Sequence, residues 1–359
     1  MDIRQATKSY EAWMRECTKV VESELTWKHA QMRADLFMFF RGTYYRWAQL
    51  WPEVCNDLRT APKLLALGDL HVGSYGTWRD REGRLCWGVD DFDDSYRLPY
   101  TSDLVRLAAS VKIVTDSRDL TVKFRTGCDA ILEGYEQSLK EGGSPFVLAE
   151  HKKNLEGLGM EAIKPPQDFW ETLLRDPIVN HRQIPPDARK ALEKTLPPKV
   201  AYKVVRRKAG MGSLGQLRLV AIAMYEGGYV AREAKATVPA ASVWKEGKRG
   251  HGERCYEKAI ASAVRSHDPY QIIFGNWLIR RLSPDSNPIE IDDLPKERDE
   301  YALLHAMGKE AANVHLGTRK QIKRVLTDLH ARDKNWLRRA GKEMAKVTEK
   351  EWRQYKKAG

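Results

Sequence analysis

Cysteine is scarce and unpatterned in this chain. The five cysteines, Cys17, Cys55, Cys86, Cys128 and Cys255, are odd in number and form no Cys-x-x-Cys pair. That argues against a disulfide framework and a zinc site and favours a reducing compartment. Long apolar runs are missing too: no stretch of about 18 apolar residues occurs, so no membrane span is expected. The segment Met1-Asp2-Ile3-Arg4-Gln5 lacks the apolar core of a secretory leader. Internal repeats and low-complexity tracts are absent. These absences predict a soluble, cytoplasmic protein.

What is present fits a globular chain. Its 359 residues suffice for two or three packed units, and 42% hydrophobic with 31% charged residues excludes a disordered class. The formal net charge of +12 is uneven, because residues 318–359 carry 14 basic and 5 acidic residues. Such a tail attracts nucleic acid, anionic lipid or an acidic substrate, or is the solvated face of a helix.

Residues 1 to about 59 read as helices, with apolar positions three and four apart through Trp13, Val20, Val21, Leu25 and Trp27, then Leu36, Phe39, Phe40 and Tyr44. Two short apolar runs follow, Leu64–Leu67 and Leu85–Val89, read as strands separated by a polar turn at Arg79–Gly83. Helical spacing returns over 104–114 and 122–139. Proline pairs at 165–166, 185–186 and 197–198 suggest a boundary near residue 199. Beyond it, 202–206, 217–222, 229–234 and 277–282 read as strands, with a hairpin turn at Glu226-Gly227-Gly228. A long terminal helix carries an apolar stripe of Trp336, Leu337, Ala340, Met344 and Val347.

Both early strands run into acidic loops. The first ends in Gly68-Asp69, the second in Asp90-Asp91-Phe92-Asp93-Asp94. A hairpin joining the two strands would bring Asp69 and Asp91 to one edge. Phosphoryl transfer uses such a pair, one carboxylate accepting the proton of the attacking hydroxyl and the other holding magnesium. His71 stands beside Asp69, and Ser74, Asp90, Asp93 and Asp94 add the hard oxygen donors that magnesium prefers. The same cluster also reads as an exposed acidic turn binding calcium or nothing; the EF-hand spacing is absent.

Gly210-Met211-Gly212-Ser213-Leu214-Gly215 matches G-x-G-x-x-G. A dinucleotide fold needs a helix after this loop, whereas here a β-rich segment follows. Strand, loop, strand is the setting of a glycine-rich loop folded over ATP phosphates, and equally of a plain hairpin. A phosphate-gripping cation on a following strand could be Lys235, with Glu253 or Glu257 at the start of the next helix to hold it.

Together these segments resemble aminoglycoside-phosphotransferase-like kinases: 68–76 their catalytic loop, 90–94 their metal-binding Asp-Phe segment, 103–108 the helix after it. The whole chain resembles an uncharacterised bacterial family, the domain of unknown function numbered 2252, with further matches at Phe39-Phe40-Arg41-Gly42, Arg232-Glu233-Ala234-Lys235 and Ala312–Gly317. The resemblance implies an α+β, two-lobed, protein-kinase-like fold that is circularly permuted, since the catalytic-loop segment precedes the glycine-rich lobe. It implies three regions: 1–199, helices plus the catalytic and metal-binding part of the large lobe; 200–290, a small β-rich nucleotide-binding lobe; 291–359, terminal helices with the basic tail.

Carried over by position, Asp69 is the catalytic base, with His71 beside it. Asp91 is the main magnesium ligand, assisted by Asp93, Asp90 and Ser74. Asp103 braces the catalytic loop through backbone hydrogen bonds. Gly210, Gly212, Ser213 and Gly215 cover the phosphates. Lys235 pairs with them, held by Glu257. Relatives place a Lys where this chain has Arg232, and the two positions face opposite sides of a strand. Ser74 stands where such kinases have Asn, and Asp90 where the family has Asn. The implied cofactors are ATP and magnesium, and the implied partners a nucleotide and an unknown small-molecule or protein acceptor. A pseudokinase scaffold, a nucleotidyl transferase and a nucleic-acid-binding protein acting through the basic tail are the alternatives.

Overall fold

The computed structural model describes residues 1–117, 120–148, 150, 165–248, 255–286 and 299–357. The architecture is mixed α+β. Four helices lead: α1 (Ile3–Cys17), α2 (Glu22–Ala34), α3 (Leu36–Gly42) and α4 (Tyr44–Val54). Asp2 starts α1 through a capping box with Gln5, and Asp35 starts α3 by accepting from the Met38 amide at 2.7 Å.

Next comes α5 (Tyr100–Ser117), buried on nearly every side, with Asp103, Arg106 and Ser110 among its buried residues. It packs against α6 (Phe124–Glu141) and the terminal α13 (Trp336–Lys356), while α11 (Glu300–His315) lies along α6. The terminal stripe of Trp336, Leu337, Ala340 and Met344 is buried and Val347 half-buried, with Lys342, Lys346 and Lys350 exposed. Much of the tail's basic charge is thus the outer face of a packed helix. Among the described residues no helix is long and apolar enough to cross a membrane.

The small strands pair otherwise than expected. β1 (Lys63–Ala66) lies antiparallel to β4 (Tyr96–Pro99), whereas β3 (Leu85–Val89) pairs with β2 (Tyr75–Arg79) and β5 (Phe146–Val147). The two early apolar runs therefore do not form one hairpin. The Asp69 and Asp91 loops still converge, because the Tyr75↔Val89 register sets Ser74 beside Asp90, whose amide donates to the Ser74 carbonyl at 3.1 Å.

A five-stranded antiparallel sheet, ordered β6-β7-β8-β10-β9, forms the second body: β6 (Tyr202–Arg206), β7 (Arg218–Tyr225), β8 (Gly228–Ala236), β9 (Ile272–Phe274) and β10 (Trp277–Leu282). Glu226 and Gly227 turn the β7–β8 hairpin with φ of +47° and +84°, as a tight primed turn requires. Helix α7 (Pro166–Arg175) covers Val205, Val220 and Ile222 with Phe169 and Leu173. Helix α8 (Pro186–Thr195) covers Val204, Leu219 and Ala221 on the other face with Ala188 and Leu192. The unit around the sheet thus begins near residue 166. The proline pairs mislead about residue 199 because Pro166 and Pro186 sit in the first helical turn, where a missing N–H costs nothing.

Candidate active site

The chain leaves β1 into the loop carrying Asp69, and α5 holds that loop from below. Asp103 is fully buried and accepts from the backbone amides of Leu67 (2.7 Å) and Gly68 (3.0 Å) and from His315 Nε2 (3.0 Å). One turn on, Arg106 donates Nε and Nη2 to Asp69 Oδ1 at 2.8 and 2.6 Å. Its guanidinium lies 3.6 Å from the centre of the Phe40 ring and also donates to the Phe40 carbonyl. Burial pushes the Asp69 carboxyl up and Arg106 pulls it back, with the net result above the usual value.

His71 is buried beside Asp69. Its Nδ1 accepts from the Gly73 amide at 3.1 Å, and its ring meets Phe37 and Phe40 edge-on. Burial, then Arg41 and Arg106, hold it well below its ordinary pKa, so the ring is neutral. Ser74 is turned inward: its hydroxyl donates to the Asp69 carbonyl (3.1 Å) and accepts from the His71 amide (3.0 Å). It braces the loop and does not line the cleft.

The second acidic loop divides its carboxylates. Asp91 is exposed at the cleft mouth. Crowding by the surrounding protein pushes its carboxyl up although the side chain reaches solvent, but Lys235, the Asp93 amide and Arg280 outweigh that and hold it below its usual value. Burial pushes Asp90 up to about 6 despite Arg280. Asp93 forms an ion pair with Lys235, and Asp94 accepts from the Ala241 amide at 2.7 Å. Among the described residues no three His, Cys, Asp or Glu side chains gather closely enough to hold a metal.

The glycine-rich loop joins β6 to β7 and arches over Asp69. A Cβ at Gly212 would stand 3.8 Å from Asp69 Oδ2. Gly210 and Gly215 take φ of +75° and +96°, conformations a side chain would strain. The loop is anchored to the N-terminal helices. Lys28 Nζ donates to the Gly212 carbonyl (2.8 Å), the Val21 amide to the Gly215 carbonyl (2.8 Å), and the Gly215 amide to Glu24 (3.3 Å). Met211 and Leu214 pack with Met32, Phe39 and Tyr355. Ser213 Oγ accepts from Arg218 at 2.6 Å.

Asp69, His71, Asp90 and Asp91 face Gly210, Gly212, Lys235 and Arg280 across one open cleft enclosing about 1020 Å³, solvent at its mouth included. Ser74, Asp93, Ser213 and Gly215 do not line it, and neither do two further expected members. Arg232 is on the opposite face of β8, where Nε donates to the Thr195 carbonyl (3.0 Å) and the guanidinium stacks 3.7 Å from Tyr270. Glu257 is exposed beside a smaller neighbouring pocket, and Lys235 is held by Asp93 instead. Glu253 lies outside the described residues.

The sequence reading gave no role to Arg106, Lys28, Glu233, Arg218 or Arg280. The signals were faint: Arg106 follows Asp103 by three positions, hence shares its helix face, and Arg218, Glu233 and Arg280 are charges within strands that bury their neighbours.

A bacterial family model described as "Uncharacterized protein conserved in bacteria (DUF2252)" matches residues 19–168. That span includes both aspartate loops and α5 and stops before the glycine-rich segment. Neither a curated protein nor a solved structure matches the chain.

Proposed function

We propose that this chain is an ATP- and magnesium-dependent phosphotransferase of circularly permuted kinase-like fold, acting on a hydroxyl of an acceptor yet to be identified. One observation carries the reading. Two aspartate loops and a glycine-rich strand–loop–strand, over 100 positions apart, meet across a single cleft with Gly212 above Asp69. In this reading Asp69 Oδ2 accepts the proton of the acceptor hydroxyl while Arg106 fixes Oδ1. Asp103 holds the loop's amides and His71 its turn. Lys235 exchanges Asp93 for a phosphate oxygen.

Asp91 with Asp90 are the carboxylates that would hold magnesium, which would supply neutralisation of the phosphate charge. Magnesium needs only one or two carboxylates when phosphates complete its shell, which suits a site without a three-carboxylate cluster. The test is to incubate purified protein with magnesium ATP and a panel of hydroxyl acceptors and identify the products by mass. ADP with a phosphorylated acceptor supports the reading, whereas pyrophosphate with an adenylylated acceptor replaces it with nucleotidyl transfer.

A second reading, a nucleotide-binding pseudokinase scaffold, is favoured by Ser74, whose hydroxyl is engaged inside the loop and adds no metal ligand. ATP binding without turnover of any acceptor would establish it.

A further inference from the structure

One wall of the cleft gathers three guanidinium groups around a single buried carboxylate. Glu233 is fully buried, and three arginines converge on it: Arg218 at 2.9 Å, Arg207 at 3.1 Å and Arg280 at 3.2 Å. Three guanidinium groups thus hydrogen-bond to one buried carboxylate. The next carboxylate, Asp90, stands 3.9 Å from Arg280, beyond hydrogen-bond reach. Among the described residues, the Nε atoms of Arg218 and Arg280 are buried without a partner. Lys235 lies directly across from Arg218 on the same sheet face. Confining like charges away from water is costly unless a counter-charge joins them, and a guanidinium fork matches phosphate oxygens in pairs.

The glycine-rich loop is occupied differently. The Gly212 and Gly215 carbonyls and the Gly215 amide are already bonded to α2 and the residue before it, so the loop's position is set by those contacts.

We infer that Arg207, Arg218 and Arg280, gathered by Glu233 and continued by Lys235, form a cradle for linked phosphate groups, so that sheet side chains hold the oligophosphate while the glycine-rich loop serves as a fixed cover. The inference rests on the proposed function only for the ligand being a nucleotide; a free inorganic oligophosphate offers the same chemistry.

The test is calorimetric titration of the full chain with inorganic tripolyphosphate, free of metal and at low salt, against orthophosphate. Arg207→Gln and Arg280→Gln are the informative variants, because both side chains are partly exposed (23% and 20%) and tolerate change better than buried Arg218. Lys342→Gln on the outer face of α13 is the control. The cradle requires tripolyphosphate to bind at least about tenfold tighter than orthophosphate, each arginine variant to weaken it about tenfold or more, and the control to match the parent. No tripolyphosphate binding, or equal weakening by Lys342→Gln, overturns it. Displacement of tripolyphosphate by ATP assigns the cradle to a nucleotide; arginine-dependent binding that ATP cannot displace keeps the cradle and assigns it to free oligophosphate, against the phosphotransferase reading. ATP binding that needs Asp91 but ignores both arginines overturns the cradle and leaves that reading intact.

Discussion

Arg106 grips only one oxygen of Asp69: Nε and Nη2 both donate to Oδ1, at 2.8 and 2.6 Å. Oδ2 is thereby left toward Gly212 and the cleft. The arginine is 1% exposed and stacks on Phe40, so its position is fixed by packing as well as charge.

Arg106→Lys should therefore disturb both fold and site. A lysine supplies a point charge without the fork or the flat stacking face. The expected loss is roughly 3 kcal/mol in a urea melt, with turnover falling further than the unfolded fraction explains. A variant with parental stability and turnover would remove Arg106 from the account.

Asp103 satisfies two backbone amides and His315 in a site without solvent. Asp103→Ala leaves buried donors unmade, at a cost of roughly 3 kcal/mol. Hydrogen exchange at residues 67–69 should quicken more than in the α6–α11 helix pair. Uniform quickening would mean the carboxylate supports the whole core and not the loop.

Asp90 makes a pH prediction with a definite sign. Its folded pKa of about 6 lies above the unfolded 3.8, so the native state binds that proton more tightly. Its contribution to stability is therefore greatest below pH about 4 and is lost as pH rises through about 6. The change amounts to about 3 kcal/mol before solvent screening. Asp90→Asn should flatten that part of a pH series of thermal melts. An unchanged slope would place the titration elsewhere.

Lys28 links α2 to the glycine-rich loop through the Gly212 carbonyl, and burial lowers its pKa to about 8. Lys28→Met keeps the stem and removes the donor. Stability should drop by about 1 kcal/mol, while exchange at 210–215 rises several-fold. Unaltered exchange would show that Met211 and Leu214 alone hold the loop.

How legible this was in sequence differs by element. The strand-to-Gly-Asp junction at 67–69, the Glu226-Gly227 hairpin and the apolar stripe of the last helix are local patterns, and they stand where the periodicity placed them. Strand partners are not local. Residues 63–66 pair with 96–99 because register depends on contacts far along the chain. Proline pairs suggested a boundary near residue 199 although two of their prolines open helices. Lys235 looked for a helical glutamate and met Asp93, a neighbour only tertiary packing could supply. Arg232 and Lys235 were separable by strand alternation alone, and they do fall on opposite faces.

The most direct measurement is the thermal shift of the purified chain with ATP, magnesium, both or neither, for the parent and Asp91→Ala. Magnesium alone should do little, since Asp91 and Asp90 need phosphate oxygens to complete a shell. ATP with magnesium should raise the melting temperature of the parent by several degrees, and Asp91→Ala should lose that increment. An equal rise in both proteins, or none in either, would contradict the nucleotide site proposed between Asp69, Asp91 and Lys235.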